Sequence, residues 1–319
     1  MQRRQFLQTS GGALILGAAP RSHAQQPSDA RTLTYKSAGG CEIKADVYGA
    51  GESGRKPALL WIHGGALIMG SRKSISRRFQ DALLRSGYVV VSIDYRLAPE
   101  TKLPAIIEDV QDAYRWTREA GAKLFRIDPE RLAVAGGSAG GYLTLMTGFC
   151  VNPRPRALVA FWGYGDITTP WYSRPDAFYL RQPAVPKDEA YGAVGTVALS
   201  EPPDKNQRGR FYLYCRQRGI WPKEVAGHNP DADPRWFDRY CPARNVTAKY
   251  PPTILIHGTT DTDVPYDESK NMAAKLAEAR VEHQFITVTG AGHGLAGATP
   301  EEVAQANDRA VEFVRAHTS

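Results

Sequence analysis

The sequence predicts an α/β fold: a mostly parallel central sheet with helices on both faces and one inserted cap. Three observations carry this. Short apolar runs recur that are nearly continuous rather than alternating, as strands buried on both faces require. Stretches with helical spacing lie between them, and strands alternating with helices argue for a parallel sheet covered on both sides. Residues 168–250 break the rhythm, holding 10 of the 22 prolines and 13 of the 31 aromatic residues of the 319-residue chain, with no strong strand run.

Residues 1–24 stand apart. Arg3-Arg4-Gln5-Phe6-Leu7 precedes the apolar run Gly11–Ala19, and Ser22-His23-Ala24 places small residues where a signal peptidase reads. The segment resembles a twin-arginine export signal, with Gln25 as the mature start. Its apolar run is shorter than the roughly 20 residues that span a bilayer. The chain is therefore expected to be exported, periplasmic or secreted, with no stable membrane insertion after cleavage.

The remaining elements follow in order. Arg31–Tyr35 and Glu42–Val47 alternate, which predicts an antiparallel hairpin at the sheet edge. Ala58–Ile62, Val89–Ile93, Leu132–Ala135, Ala157–Phe161 and Thr253–Ile256 predict buried parallel strands, and Gln284–Val288 predicts the last strand. Helices are predicted over Ser74–Ser86, Pro104–Ala120, Ala139–Thr147, Tyr266–Ala279 and Pro300–Ala316. Pro104 marks a start, because a first-turn proline lacks only an N–H that the helix would not use. The core then comprises residues 25–167 and 251–319. Residues 168–250 form the cap, since long irregular segments inside compact domains are usually functional. The cap's rings, from Trp171 to Tyr240, fit either the wall of an apolar or aromatic substrate pocket or a small core of the cap itself.

The chemistry centres on Gly136-Gly137-Ser138-Ala139-Gly140, between an apolar run and a helix. Flanking glycines permit a sharp strand-to-helix turn, which is where a nucleophilic serine is displayed. A serine hydroxyl needs an imidazole to take its proton, and the imidazole needs an acid to fix its tautomer. His293, in the glycine-rich loop Gly290–Gly294 beyond the last strand, is the candidate base. Of the other histidines, His23 lies in the signal, His317 near the end, His228 in the cap and His283 before a strand, while His63 and His257 shape turns. The acid comes from Asp261-Thr262-Asp263-Val264-Pro265 after Thr253–Ile256. Asp261 is favoured, and Asp263 is expected to bond the turn's own backbone. For the oxyanion hole, His63-Gly64-Gly65-Ala66 follows a strand and offers main-chain N–H groups, with Ala139 supplying another.

These motifs, together with Asp94-Tyr95-Arg96-Leu97-Ala98-Pro99-Glu100, resemble the hormone-sensitive-lipase-like and carboxylesterase branch of the α/β-hydrolases. The resemblance implies nucleophile Ser138, acid Asp261, base His293, and oxyanion donors Gly65, Ala66 and Ala139. It implies hydrolysis of a small to medium ester without cofactor or metal. Gly137 stands where the lipase-like group usually has Asp or Glu, and this also suits the feruloyl and acetyl esterase-like branch. Amide or peptide hydrolysis and a noncatalytic ligand-binding homologue are the rival readings.

Composition narrows the partners. The formal charge of +7 falls to +4 once Arg3, Arg4 and Arg21 are removed, and no Lys/Arg run is interleaved with aromatics, so nucleic acid is not an expected ligand. Cys41, Cys150, Cys215 and Cys241 lack Cys-x-x-Cys spacing, which argues against a zinc site. Outside the cytosol, Cys215 and Cys241 are the first pair expected to form a disulfide.

Overall fold

The computed structural model describes residues 30–51, 54–202 and 205–319, so the expected export signal lies outside the described residues. The chain enters through a hairpin, β1 (Arg31–Ala38) and β2 (Cys41–Tyr48). It continues through β3 (Lys56–Ile62), β4 (Val89–Ile93), β5 (Ile127–Gly137), β6 (Leu158–Phe161), β7 (Thr253–Gly258) and β8 (His283–Val288). Among the described residues these strands form one sheet in the order β1-β2-β4-β3-β5-β6-β7-β8. Pairing is antiparallel from β1 through β2 to β4 and parallel from β4 to β8.

Successive side chains of a strand point to opposite faces, and β3 shows why its run reads as continuous. Ala58, Leu60 and Ile62 join the core on one face, and Leu59 and Trp61 join the core on the other. Each such buried Leu or Ile contributes roughly 1.5–3 kcal/mol. Helices α1 (Arg77–Arg85), α2 (Leu103–Leu124) and α3 (Ala139–Cys150) precede residue 151. The segment between β6 and β7 carries α4 (Pro170–Ser173), α5 (Lys187–Gly192), α6 (Lys205–Arg218) and α7 (Trp221–Ala226). Two more, α8 (Tyr266–Glu278) and α9 (Pro300–Thr318), complete the chain. Phe79 and Leu83 of α1 pack with Phe313 and Val314 of α9 on the Trp61 face. The opposite face takes Val110 of α2, Leu143 of α3 and Met272 of α8. Among the described residues, no helix is long and apolar enough to cross a membrane.

Most elements differ from their sequence-based bounds by a few residues at an end, and two of the differences have visible reasons. α1 begins at Arg77 rather than Ser74, because the Arg72 side chain is drawn into the sheet by Asp46 (2.9 Å) and Asp94 (2.5 Å) and the chain around it closes as a separate 3-10 turn. β5 begins at Ile127, with an irregularity where Lys56 pairs Ile127 and Ala58 pairs Leu132.

The insert between β6 and β7 is helical, which its composition conceals. In α6 the consecutive residues Phe211 to Arg216 are all buried, so the helix is surrounded and shows no amphipathic period. Tyr172 stacks between Trp171 and Trp221, with centroids 3.6 and 3.9 Å away. Of the two roles open to the insert's rings, most of them build core: Tyr172, Phe211, Tyr214, Trp221 and Phe237 are buried and continuous with the sheet's core. The expected Cys215–Cys241 disulfide is not formed, and both thiols are free and buried. Cys215 faces Glu224 and Lys102, whereas Cys241 Sγ donates to Asp166 Oδ1 at 3.3 Å beside Arg244.

Candidate active site

Ser138 sits between β5 and α3 with φ 57° and ψ −123°, a conformation that strains an L residue. The surroundings hold it there: Ser138 N donates to Phe161 O (2.9 Å), and Tyr142 N donates to Ser138 O (3.0 Å). Close approach explains Gly140, where a Cβ would lie 2.0 Å from Ile62 O as α3 runs across the end of β3. Gly137 has a different neighbour. A Cβ there would lie 3.2 Å from Trp162 Nε1, so the indole occupies the space an acidic side chain would enter.

The loops after β7 and β8 bring Asp261 and His293 to this turn. His293 Nε2 is 3.1 Å from Ser138 Oγ, and His293 Nδ1 is 2.8 Å from Asp261 Oδ2. The Asp261 side chain is fully buried and meets four donors. Its Oδ1 accepts from the N–H groups of Asp263 (2.8 Å) and Val264 (2.9 Å), and its Oδ2 from His293 and from His257 Nε2 (3.2 Å). Both partners of His257 Nε2, Asp261 Oδ2 and Val264 O (3.1 Å), are acceptors, so this nitrogen carries hydrogen. His257 Nδ1 lies 2.7 Å from the Ser269 hydroxyl, which also donates to Gly163 O at 3.2 Å. His257, assigned from sequence to shaping a turn, is thus a buried donor to the acid; its place four residues before Asp261, at the end of a buried strand, was the available signal.

Electrostatics follow from these contacts. Burial works to raise the Asp261 pKa, but hydrogen bonds from His257 and His293 and the Val264 N–H outweigh it and hold the carboxylate well below its usual range. Burial works to lower the His293 pKa. The hydrogen bond to Asp261 and the charges of Asp263 and Asp261 outweigh it, with Arg216 opposing, so the imidazole is pushed up.

Asp263 does not bond the turn's backbone as expected; Asp261 Oδ1 does that. Instead, Asp263 Oδ2 lies 3.3 Å from His293 Nε2. Its Oδ1 accepts from Tyr179 Oη (2.7 Å), Tyr212 Oη (2.5 Å) and Arg216 (2.9 Å), all from the insert. Arg216 is fully buried, pairs with Asp176 at 2.8 Å, and lies against the rings of Trp171, Tyr172, Tyr179 and Tyr212.

The loop after β3 lies on the other side of Ser138. A Cβ on Gly64 would meet Gly137 O at 2.7 Å and Ser138 Cβ at 3.2 Å. Gly65, Ala66 and Leu67 all have positive φ (107°, 55° and 62°). The turn closes through Ile68 N and Met69 N onto Gly65 O, bonds that leave the N–H groups of Gly65 and Ala66 unused by the turn itself. His63 stacks on Tyr95 at 4.2 Å, and Tyr95 Oη donates to His63 O at 3.0 Å.

Side chains of the 94–100 motif tie this region to the surrounding helices. Arg96 grips Asp109 through two nitrogens, each at 2.7 Å. Glu100 is held by Arg208 of α6 at 2.8 and 2.9 Å, and Arg208 Nε also donates to Ile68 O at 2.6 Å. Trp221 Nε1 donates to Ala66 O at 2.9 Å. The insert therefore touches the loop on both sides of Leu67, which no local pattern in the sequence announces.

Comparison with known proteins agrees with this architecture. The sequence profile of the "alpha/beta hydrolase fold" matches residues 59–297. Esterase LipC of Mycobacterium tuberculosis is 30% identical over 75% of this chain and 53% of its own length. The non-reducing polyketide synthase ausA of Aspergillus calidoustus is 28% identical over 92% of this chain, but the match covers only 14% of that protein. The chain thus spans about half or less of these curated relatives. Among solved structures, a protein of unknown function from Staphylococcus aureus Mu50 superposes with a TM-score of 0.71 at 20% identity, covering 87% of this chain and 96% of that one. The carboxylesterase EstE1, cloned from a metagenomic library, gives 0.67 at 23% identity, covering 92% and 90%. By its sequence profile and its sheet alike, the chain belongs to the α/β-hydrolase fold family.

Proposed function

We propose that the protein is a serine carboxylic-ester hydrolase that works through an acyl-enzyme on a small to medium ester with an apolar or aromatic group, after export and loss of residues 1–24. The observation that carries this reading is the continuous chain from Ser138 Oγ to His293 Nε2 (3.1 Å) and from His293 Nδ1 to Asp261 Oδ2 (2.8 Å). Ser138 Oγ attacks the ester carbonyl carbon as its proton passes to His293 Nε2, while Asp261 stabilises the imidazolium without taking its proton. The N–H groups of Gly65, Ala66 and Ala139 receive the oxyanion, where each donor is worth about 10²–10³ in rate. The imidazolium then protonates the leaving alkoxide as the C–O bond breaks. Water gives a proton to the same imidazole as it attacks the acyl carbon, and the imidazolium returns that proton to Ser138 Oγ as the Oγ–acyl bond breaks and the carboxylic acid departs.

The relatives named esterase and carboxylesterase support an ester over an amide. The test is labelling with a fluorophosphonate, followed by rates on nitrophenyl esters of increasing chain length, aryl amides, and acetylated or feruloylated sugars. The expected result is an adduct at Ser138, absent in Ser138→Ala, with faster turnover of esters than of amides. A chain that takes no label is a binding homologue, and one that prefers aryl amides is an amidase.

A further inference from the structure

His293 Nε2 has two neighbours, Ser138 Oγ at 3.1 Å and Asp263 Oδ2 at 3.3 Å. The four-donor contact already described engages Asp261 fully, and Nδ1–H of His293 points at it, so Nε2 bears the lone pair when the ring is neutral. A carboxylate facing a lone pair gains nothing. One beside an imidazolium gains a charge–charge attraction there. Asp263 therefore discriminates between the two protonation states of the base at the nitrogen where the chemistry occurs.

Its other oxygen is not free. Tyr179, Tyr212 and Arg216 all donate to Oδ1, and Arg216 is itself shared with Asp176. We propose that Asp263 is a positioning residue for the base, pairing through Oδ2 with the His293 imidazolium at Nε2, and that Tyr179, Tyr212 and Arg216 of the insert set how strongly it does so. The proposal rests on the esterase reading of Ser138 and His293. No bond to carbon is involved: Asp263 stabilises the hydrogen-bearing ring by charge alone, and that hydrogen leaves Nε2 for the alkoxide as the C–O bond breaks. The charged groups facing the ring are Asp261 and Asp263 from the loop after β7 and Arg216 from α6. Those facing Asp263 are Arg216, Tyr179 and Tyr212, with His257 and Asp176 one contact further away.

The acid limb of kcat/KM against pH reports protonation of the free enzyme's base. Asp263→Asn removes the carboxylate in nearly the same shape, and the limb is expected to move down by about one pH unit. Tyr179→Phe and Tyr212→Phe free the carboxylate from a donor, and the limb is expected to move up, by about half a unit each. If Asp263 merely fastens the insert, all three variants lose thermal stability while the limb stays fixed, and the proposal is overturned; a limb that rises in Asp263→Asn overturns it too. A histidine ¹⁵N titration of the intact protein needs no turnover. The His293 midpoint should lie lower in Asp263→Asn than in wild type, and an equal or higher midpoint would overturn the proposal. Absence of fluorophosphonate labelling in wild type would instead refute the esterase reading and leave the titration to decide the role of Asp263.

Discussion

Glu268 of α8 is a carboxyl buried without a cation, and its replacement by glutamine should stabilise the protein in a pH-dependent way. Its oxygens accept from Thr169 Oγ1 at 3.0 Å and Asp166 N at 3.3 Å, and it is 6% exposed. Burial pushes its pKa up to about 7 from 4.5, the charge of Asp166 adding to the effect and the Thr169 hydroxyl and backbone N–H groups opposing it. The folded chain therefore binds this proton more tightly than the unfolded chain. The stability that the proton confers is complete below the unfolded value of 4.5 and is lost as pH rises through about 7. At about 1.4 kcal/mol per pH unit, the gap between those values corresponds to about 3 kcal/mol. Glutamine does not titrate, but its amide nitrogen leaves one of the two donors without an acceptor, a cost of about 1 kcal/mol. Glu268→Gln should therefore be less stable than wild type by about 1 kcal/mol at pH 3.5 and more stable by about 2 kcal/mol at pH 8.5. Urea unfolding at the two pH values measures this. A difference between variant and wild type that is the same at both pH values would refute the buried-proton reasoning.

Further predictions concern the site. Asp261→Asn keeps the shape but no longer stabilises the imidazolium, and kcat for a nitrophenyl ester should fall by about 10³–10⁴ with little change in KM. Gly137→Asp forces a side chain into the space of Trp162 and should cost about 1–3 kcal/mol in unfolding experiments. Adding Trp162→Leu should recover part of that loss, a coupling measurable in a double-mutant cycle. Trp221→Phe retains the ring but deletes the donor to Ala66 O, and steady-state kinetics should show kcat down by about tenfold, with the loss exceeding any change in KM.

The features legible in sequence share one property: each is decided by a local pattern. The five buried runs show as continuous apolar stretches because β3 to β7 are covered on both faces. Ser138, Asp261 and His293 could be picked out because each lies in a turn immediately after a strand or in a glycine-rich loop, and the structure places them within hydrogen-bonding distance. What escaped notice depends on long-range packing. α6 is buried all round, so the aromatic run of residues 211–215 has no period to read. Asp263 looked like a turn residue because its partners Tyr179, Tyr212 and Arg216 are 47 to 84 positions away. His257 reads as a turn histidine because a histidine that ends a strand is usually a matter of packing, and only the fold sets Asp261 beside it.

The braces between the insert and the loop beside Ser138 also bear on the order in which the molecule can be completed. Ala66 is joined to a residue 155 positions later, Ile68 to one 140 later, and Glu100 to one 108 later. A nascent chain emerging from its N-terminus has the strand, the loop and the serine turn available well before Arg208 and Trp221 exist to hold that loop in place. Contacts so distant in sequence form late, after the loop-closure entropy of the intervening chain has been overcome. The same is true of Asp261 and His293, which follow the insert in sequence. On the proposed reading, competence is thus withheld until the chain has been made past His293, and a product truncated before that point has neither its loop secured nor a base to activate Ser138.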